Sequence, residues 1–553
     1  MTQQENHQAG WPPEAYALLL DGAYKEAIEQ LEQILEEETS QRSDYWYFGL
    51  LLILSGQEIE GQRIWSLKIA EAENEQYDLW VDELVRILKQ EGQRQGSLNN
   101  IEMRWTLCQH IREIAPRDPE NLLQLITLSR NLGIFKIEDL NSLGIIPSLQ
   151  NLSCPNLESS LFQDNILGLL KEYPCSNTVI DLLKVGSSYL GQNHTDFIGS
   201  LIEVSAYVAN IQCYPHQAIE ILKVAKTLSP KNLDLLKYLS SYYQTCYQYD
   251  EAIETAKECL HLSNTLLDSI SANYILLTAL MVSGQYWSEA ENCFSRHLSL
   301  LRKFIYEDPQ NLAQPINQWM ISSAFFQPYL RDNIKLNRDI QNKIANIYNK
   351  NVLINYSQFT EASDTRIRAR ASIHQPLRIG YLSHCLRQHS VGWLARWLFK
   401  YHNREQFEIF SYLVDYKSSK QDALQTWIAQ QSDHVCRPSL NARDIAEKIS
   451  DDGIDLLIDL DSLTLDICCE VLALKPAPVQ ATWLGWEASG IPAIDYFIAD
   501  SYVLPEDAEE HYSEKLVRMP NAYIAVDGFE MGIPSVNREH FNISQDAVIY
   551  QSA

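Results

Sequence analysis

Residues 475–496 read KPAPVQATWLGWEASGIPAIDY, an apolar run that follows two prolines and ends in a loop containing glycine. A short apolar run with such boundaries is typical of a buried strand. Open α/β sheets bind their ligands at the loops that leave the carboxyl ends of the strands. We therefore predict that residues 484–490, LGWEASG, form a binding loop.

The sequence around this loop alternates between strand and helix patterns. Strands are predicted at LRIGYLS (377–383), FEIFSYLVDY (407–416), IDLLIDLD (454–461), VQATWLGW (479–486), DYFIAD (495–500) and in ISQDAVIYQSA (543–553). Helices are predicted at VGWLARWLFKYHN (391–403), QDALQTWIAQQ (421–431) and ARDIAEKISDDG (442–453). This alternation predicts a doubly wound parallel α/β sheet.

The first 310 residues instead show a helical repeat. Ala27 and Gly61 are 34 residues apart, and so are Ala218 and Ala252, each at a position where two helices cross closely. The spacing resembles the tetratricopeptide repeat and predicts an α-solenoid over 1–310, with a plain antiparallel helical bundle as the alternative. A solenoid of this kind binds protein segments on its concave face. Residues 311–375 are predicted to be a helical linker.

Composition excludes several classes of protein. A formal charge of −28 disfavours nucleic acid as a partner, because phosphate binding depends on clustered lysine and arginine. Eleven cysteines without a CxxC pair fit neither a disulfide scaffold nor a zinc module. The N-terminus lacks the pattern of a signal peptide, and the longest apolar run is too short to cross a bilayer. We expect a cytoplasmic protein that does not bind membranes.

His389 is the first candidate for chemistry, because it lies between the first predicted strand and the following helix. There it can donate a proton or a hydrogen bond to a ligand, although many histidines at helix starts only cap the helix. His384 and Cys385 suggest a metal, but no second cluster supplies further ligands, so no metal site is predicted. The pair Asp459 and Asp461 is interpreted as structural, because carboxylates after a buried strand commonly accept bonds from backbone amides.

The segment 377–533 resembles a known family. HSVGW, DGIDLLIDLD, KPAPVQATWLGW, IPAIDYFIAD and YSEKLVRMP occur in the same order as in the N-terminal catalytic lobe of the O-linked N-acetylglucosamine transferases and SPINDLY proteins. Helical repeats ahead of that lobe are also the architecture of this family. The resemblance implies that 376–533 is the N-terminal, Rossmann-like lobe of a two-lobed glycosyltransferase of the GT-B kind, and that 534–553 begins a truncated second lobe.

The resemblance also implies a function. Such an enzyme transfers a sugar from a nucleotide donor, of the UDP-GlcNAc or GDP-fucose class, to serine or threonine of proteins bound by the repeats, without a metal or other cofactor. His389 takes the place of the family's catalytic histidine. The positions implied to contact the donor are Ser390, Leu484, Gly485, Trp486, Ser489 and Gly490.

Some residues depart from the family pattern. Trp486 and Glu487 replace Tyr-Pro, and Ser462, Leu463 and Thr464 replace Gly-His-Thr. Glu487 should repel a diphosphate, since like charges at close range disfavour each other. The family's second lobe supplies most contacts to the diphosphate, so these 553 residues alone are expected to show no measurable transfer. The alternative function is a non-catalytic tetratricopeptide scaffold.

Overall fold

The computed structural model describes residues 10–37, 40–150, 159–189, 195–357, 375–414, 422–524, 526–528 and 535–550. These residues form two compact units. The first, here called the helical unit, comprises the described residues up to 263 together with 275–286. The second, the sheet unit, comprises 264–274 and the described residues from 287 onward.

The helical unit consists of successive helices. They are α1 (Pro13–Leu20), α2 (Tyr24–Glu36), α3 (Arg42–Leu54), α4 (Glu58–Ile69), α5 (Asn74–Ser97), α6 (Ile101–Ile114), α7 (Pro119–Asn131), α8 (Asp139–Leu143), α9 (Ile145–Gln150), α10 (Ser159–Glu172), α11 (Asn177–Ser187), α12 (Thr195–Ala206), a π-helical turn (Tyr207–Ile211), α13 (Pro215–Leu228), α14 (Leu233–Thr245) and α15 (Tyr249–Leu262). Polar side chains cap several of them: Asn100 Oδ1 accepts from the backbone N–H of Met103, and Asn232 Oδ1 accepts from that of Leu235. Such caps satisfy amides that have no partner within the helix.

The small residues of the 34-residue spacing lie where helices pack closely. Ala27, Ala218 and Ala252 are completely buried. A Cβ at Gly61 would lie 2.7 Å from the carbonyl oxygen of Gly49, so α3 and α4 cross at a distance that only a small residue permits. The predicted tetratricopeptide-like helical region is confirmed.

Helix α16 (Leu266–Ser283) is long and apolar enough to span a membrane by length and composition. Core helices of globular proteins pass the same test, and Ile270, Ala272 and Leu277 of α16 are completely buried. Among the described residues, α16 is the one helix that passes this test. A single helix of this kind is weak evidence for a membrane span.

The sheet unit begins with helices and continues as an α/β sheet. Its first helices after α16 are α17 (Trp287–Glu307), α18 (Gln314–Met320), α19 (Gln327–Leu330) and α20 (Ile334–Asn355). The strands are β1 (Leu377–Ser383), β2 (Phe407–Leu413), β3 (His434–Cys436), β4 (Leu456–Asp459), β5 (Val479–Thr482), β6 (Tyr496–Asp500) and β7 (Lys515–Met519). The helices between them are α21 (Ser390–Tyr401), α22 (Ala423–Gln431), α23 (Ala442–Asp451) and α24 (Asp466–Ala473).

The seven strands are all parallel and follow the order β3-β2-β1-β4-β5-β6-β7. The order reverses between β1 and β4, which is the place where open α/β sheets bind ligands. Tyr381 and Leu457 in these central strands are buried, because helices cover both faces of the sheet. The predicted fold class, helical repeats followed by a doubly wound parallel sheet, is confirmed.

Three details differ from the sequence prediction. Strand β3 has only three residues, too few for a periodic pattern, and β7 was not predicted as a strand. The strand predicted in 543–553 is wrong for the described residues, since 543–550 contain no strand and Val548 is 77% exposed. An apolar run becomes a strand only when a neighbouring strand accepts its backbone hydrogen bonds.

Acid is expected to destabilise the sheet unit through His297 in α17. Its Nε2 lies 2.7 Å from the carbonyl oxygen of Ser323, and its Nδ1 has no hydrogen-bond partner among the described residues. Burial lowers the pKa of His297 from 6.5 to about 4. Because the unfolded chain takes up this proton first, stability is full above pH 6.5 and falls as the pH decreases toward 4. The free energy of unfolding decreases by about 3 kcal/mol over this pH range.

Denaturant unfolding across this pH range checks the expectation. Replacement His297→Gln keeps a donor for Ser323 but cannot titrate, so most of the pH dependence should disappear. The exposed His540 lies in the same unit, and His540→Gln should leave the dependence intact. An unchanged pH profile in His297→Gln would show that other groups control the acid response.

Candidate active site

The carboxyl ends of three neighbouring strands define the candidate site. Leu382 in β1 pairs with Asp459 in β4, which pairs with Thr482 in β5. The loops that follow these strands therefore leave the same edge of the sheet. His389 and Gly485 lie in the first and third of these loops, and so at one carboxyl edge of the sheet.

His389 is exposed and caps α21. Its Nδ1 accepts a hydrogen bond from the backbone N–H of Val391 at 3.2 Å. In the neutral ring the proton is then on Nε2, so the imidazole presents an N–H donor. Burial, together with the positive charges of His384 and Arg387, lowers the pKa of His389 and favours this neutral form. His389 therefore caps the helix with Nδ1 and also presents a hydrogen-bond donor at Nε2.

Asp461 joins the β1 loop to the β4 loop. Its carboxylate accepts from Ser383 Oγ at 2.6 Å and from the backbone N–H of His384 at 2.8 Å. His384 Nδ1 is also 2.9 Å from Asp461 Oδ2. Although burial opposes ionisation, these bonds hold the pKa of Asp461 below its ordinary value. Burial and the Asp461 charge raise the pKa of the neighbouring Cys385 to about 12.

Asp459 has the structural role that the sequence suggested. It is completely buried and accepts from the backbone N–H groups of Asp461 and Ser462 and from Thr482 Oγ1. Burial and repulsion from Asp461 raise its pKa to about 7. Because all these hydrogen-bond donors are groups of the protein itself, we interpret Asp459 as structural. It connects the β4 loop to the end of β5.

The loop 484–490 is held in an unusual backbone conformation. Leu484 has φ of 78°, in the left-handed region that residues with a Cβ rarely adopt. A Cβ at Gly485 would lie 1.9 Å from the carbonyl oxygen of Leu460, so only glycine fits there. Such strain persists only where the surroundings impose it, and it is concentrated at functional sites.

A cavity of about 480 Å³ opens beside this loop. Leu484, Gly485, Trp486 and Glu487 line it from the loop, and Tyr512 is also among its lining residues. The Trp486 ring stacks on two aromatic rings of the linker, at 4.4 Å from Phe325 and 5.6 Å from Tyr329 between ring centroids. His389 and Ser390 do not line this cavity, so the predicted site residues divide into two groups.

Glu487 does not carry a free negative charge. It accepts from Tyr512 Oη at 2.5 Å and lies 3.8 Å from the guanidinium of Arg338. Arg338 is 1% exposed, donates to the carbonyl oxygen of Ala488, and also faces Glu514 at 3.7 Å. The repulsion of a diphosphate that the sequence suggested is therefore offset by a buried cation. Arg338 lies in the predicted linker, where no local pattern marks it.

The structure differs from the prediction at Ser489 and Gly490. Ser489 is completely buried, and its carbonyl oxygen accepts from Gln341 in α20. Gly490 donates its backbone N–H to Glu514 at 2.7 Å. Both residues anchor the loop to the protein interior, because the loop packs against α20 at this point. Ser390 is exposed at the start of α21. Arg366, Arg368 and Arg370, which precede the first strand in the sequence RIRARASIHQP (366–376), lie outside the described residues.

A parallel α/β sheet with a histidine-capped helix and a constrained glycine loop at one carboxyl edge defines a Rossmann-like ligand-binding lobe. Residues 332–548 match the model of Glycosyl transferase family 41. This match and the names of the curated relatives confirm the resemblance of this segment to the O-linked N-acetylglucosamine transferases and SPINDLY proteins.

Several curated relatives match the same part of the chain. A probable UDP-N-acetylglucosamine–peptide N-acetylglucosaminyltransferase SEC of Arabidopsis thaliana is 34% identical over 27% of this chain and 16% of its own length. The corresponding Caenorhabditis elegans transferase is 32% identical over 28% of this chain and 14% of its own length. A probable SPINDLY transferase of Solanum lycopersicum is 27% identical over 31% and 18%. The chain thus spans less than a fifth of the length of these relatives.

A solved structure of a Thermobaculum terrenum O-GlcNAc transferase mutant is 22% identical to this chain. Its TM-score is 0.45, and the match covers 61% of this chain and 59% of that one.

Proposed function

We propose that the protein is a protein O-glycosyltransferase that binds a nucleotide sugar at the carboxyl edge carrying His389 and Gly485. The donor is UDP-N-acetylglucosamine, as the names of the relatives suggest, and the acceptors are serine and threonine hydroxyls of protein segments bound by the helical repeats. The observation that carries the proposal is that the β1 and β5 loops leave the same edge of a family 41 lobe.

His389 acts in this proposal as a hydrogen-bond donor. In sugar transfer, the acceptor oxygen bonds to the anomeric carbon and releases its hydroxyl proton to solvent, while the bond to the diphosphate breaks and negative charge develops on the leaving oxygen. Because Nδ1 is occupied by the Val391 N–H, only Nε2–H is available to the substrates. A donor aimed at developing charge stabilises the transition state. The positive end of α21, next to exposed Arg387, adds to this field.

The loop 484–490 forms the wall of the donor site in this proposal. With glycine at 485, the backbone comes within contact distance of the β4 loop and leaves its outer side open to a ligand. The Arg338 and Glu487 pair supports the loop from the inside. Together these contacts hold a preformed wall, which reduces the cost of ordering a loop on binding.

Binding measured on the 553-residue protein tests the donor site. Titration with UDP-N-acetylglucosamine and with GDP-fucose should show binding of the first. Replacement His389→Asn retains a good helix cap but lacks the imidazole Nε2–H, so it should weaken binding about tenfold while stability is unchanged. His434→Ala removes a histidine at the start of the edge strand β3 and should bind like the unaltered protein.

Transfer is assayed with radiolabelled donor and peptide mixtures, using the protein alone and with a second lobe of a relative added. Transfer that falls at least as much as binding in His389→Asn supports the proposal. Absence of binding by either nucleotide sugar, or unaltered binding in His389→Asn, would contradict it. Binding of GDP-fucose instead would leave the enzyme class in place and change the donor.

A further inference from the structure

A second cavity of about 480 Å³ lies within the helical unit, where α4, α5 and α6 meet. Its lining residues include Gln62 and Ser66 of α4, Tyr77 of α5, and His110 and Glu113 of α6. A cavity of this size accommodates a long side chain of a protein segment. All its lining residues belong to the helical unit, and none belongs to the candidate active site.

His110 is a buried group of this cavity whose hydrogen bonding is incomplete. It is 5% exposed, and its ring lies edge-on to that of Trp65, with 6.1 Å between the ring centroids. Gln62 Nε2 donates to its Nδ1 at 2.9 Å, so the proton of the neutral ring is on Nε2. Nε2 has no hydrogen-bond partner among the described residues. A buried donor left in this state is costly, which points to a partner that arrives with a ligand.

Two carboxylates flank the ring of His110. Glu58 Oε2 lies 3.7 Å from Nε2, beyond hydrogen-bond distance, and Glu113 Oε2 lies 3.5 Å from Nδ1. Their side chains are 56% and 62% exposed, so both are accessible at the surface. In the part of the chain that the structure describes, neither carboxylate forms an ion pair with a lysine or arginine. The site therefore selects a positively charged ligand.

The arrangement of the carboxylates indicates the kind of cation. Glu58 and Glu113 approach different nitrogens of the ring, and with His110 they do not form a group close enough to share one metal ion. A guanidinium is planar and carries five N–H donors, so it can bond to both carboxylates, whereas an ammonium is a compact point charge. Guanidinium groups also stack on aromatic rings, and Tyr77 and Trp65 line the cavity.

Exposed apolar side chains beside the cavity favour a protein segment over a free cation. Ile59 precedes Gln62 by three residues and Ser66 by seven, so it lies on the same face of α4. Ile59 is 77% exposed, and Tyr77 is 48% exposed. A residue next to the arginine in a bound segment can cover this apolar surface, which a small cation would leave in contact with water.

We propose that this cavity binds the guanidinium of an arginine in a protein segment, with Glu58 and Glu113 accepting its N–H groups. On binding, Glu58 moves within hydrogen-bond distance of His110 Nε2–H, so that one carboxylate serves both the ring and the ligand. No covalent bond changes. The proposal does not depend on the proposed function, because a basic segment can bind to the helical unit whether or not the protein transfers a sugar.

Fluorescence anisotropy with the 553-residue protein tests the site. The probe is a short peptide of glycine and serine with a central leucine–arginine pair and a neutral fluorophore, and it should bind with a Kd of about 0.1 mM. The same peptide with citrulline has a neutral side chain of nearly the same shape and should bind at least about tenfold more weakly. The lysine peptide should bind about threefold more weakly than the arginine peptide.

The variants assign the binding to the cavity. The double replacement Glu58→Gln with Glu113→Gln should weaken binding of the arginine peptide by about tenfold, and His110→Phe by about threefold. Glu60→Gln is the control for general attraction to an acidic chain. It removes an exposed carboxylate of α4 that does not line the cavity, and binding should be unaltered.

Several results would overturn the proposal. They are no binding of the arginine peptide, equal binding of the citrulline or lysine peptide, and unaltered binding in the double variant or in His110→Phe when circular dichroism shows native folding. A loss in Glu60→Gln as large as that in the double variant would also overturn it, because attraction to the overall charge would then explain the binding. Nucleotide sugar binding is measured separately, so failure of either proposal leaves the other to its own test.

Discussion

Replacing Arg338 by methionine is expected to lower the free energy of unfolding of the sheet unit by about 3 to 5 kcal/mol. Arg338 is 1% exposed, and its guanidinium lies between the carboxylates of Glu487 and Glu514 and over the ring of Tyr512. Its removal leaves two acidic groups near each other, and Glu514 is completely buried at its side chain. An uncompensated buried charge costs more than the pair contributed.

Denaturant unfolding checks this expectation. The double replacement Arg338→Met with Glu514→Gln should recover part of the loss, because the second change removes the unpaired charge and keeps an acceptor for the Gly490 N–H. As a matched control, Arg443→Met removes an exposed arginine that pairs with Glu447 and should cost less than about 1 kcal/mol. A loss that small in Arg338→Met would show that the buried cation is not needed to hold the loop.

Replacing Gly485 by alanine is expected to destabilise the sheet unit by about 4 kcal/mol, above the usual range for overpacking. The added methyl group would lie 1.9 Å from the carbonyl oxygen of Leu460 and 2.8 Å from its carbon. Both are backbone atoms in the loop after β4, so they cannot rotate away as a side chain would. Either the β4 loop or the β5 loop must move, which displaces the wall next to the cavity.

The matched comparison is Gly199→Ala in α12. A Cβ at Gly199 meets nothing within 4 Å, and the position is exposed in a helix interior. Alanine there should stabilise the helical unit by about 0.5 to 1 kcal/mol, because it restricts the unfolded chain and favours the helix. If Gly485→Ala is tolerated as well as Gly199→Ala, the loop has room to relax and the close contact does not constrain it. Nucleotide sugar binding by Gly485→Ala should fall together with stability if the donor site is placed correctly.

The sequence indicates the structural role of Gly485 but not that of Arg338. Gly485 follows an apolar run and precedes a loop, so a close backbone approach at the end of a strand is a reasonable expectation from local pattern. Arg338 has no such signal, since it lies in a polar helix whose sequence resembles that of many exposed helices. Its partner Ala488 is 150 residues away along the chain. No periodicity relates two such segments.

The contacts among His384, Cys385 and Asp461 show the same limit. His384 and Cys385 are adjacent, and the sequence identified both, but it offered no further ligand nearby. Asp461 was also noted, as part of a structural pair with Asp459. The parallel pairing of β1 and β4 places the ends of the two strands side by side and so brings the three groups together.

The sequence by itself determined the kinds of elements and their order: the 34-residue helical repeat, the alternation of strands and helices, and the loops in which His389 and Gly485 lie. These features follow from local periodicity and from the conformational preferences of glycine and proline, which act over a few residues. Tertiary structure alone decided that Ser489 faces α20, that Arg338 neutralises Glu487, and that Asp461 reaches His384. Burial and charge pairing depend on segments that are distant along the chain, and only strand order and helix packing bring those segments into contact.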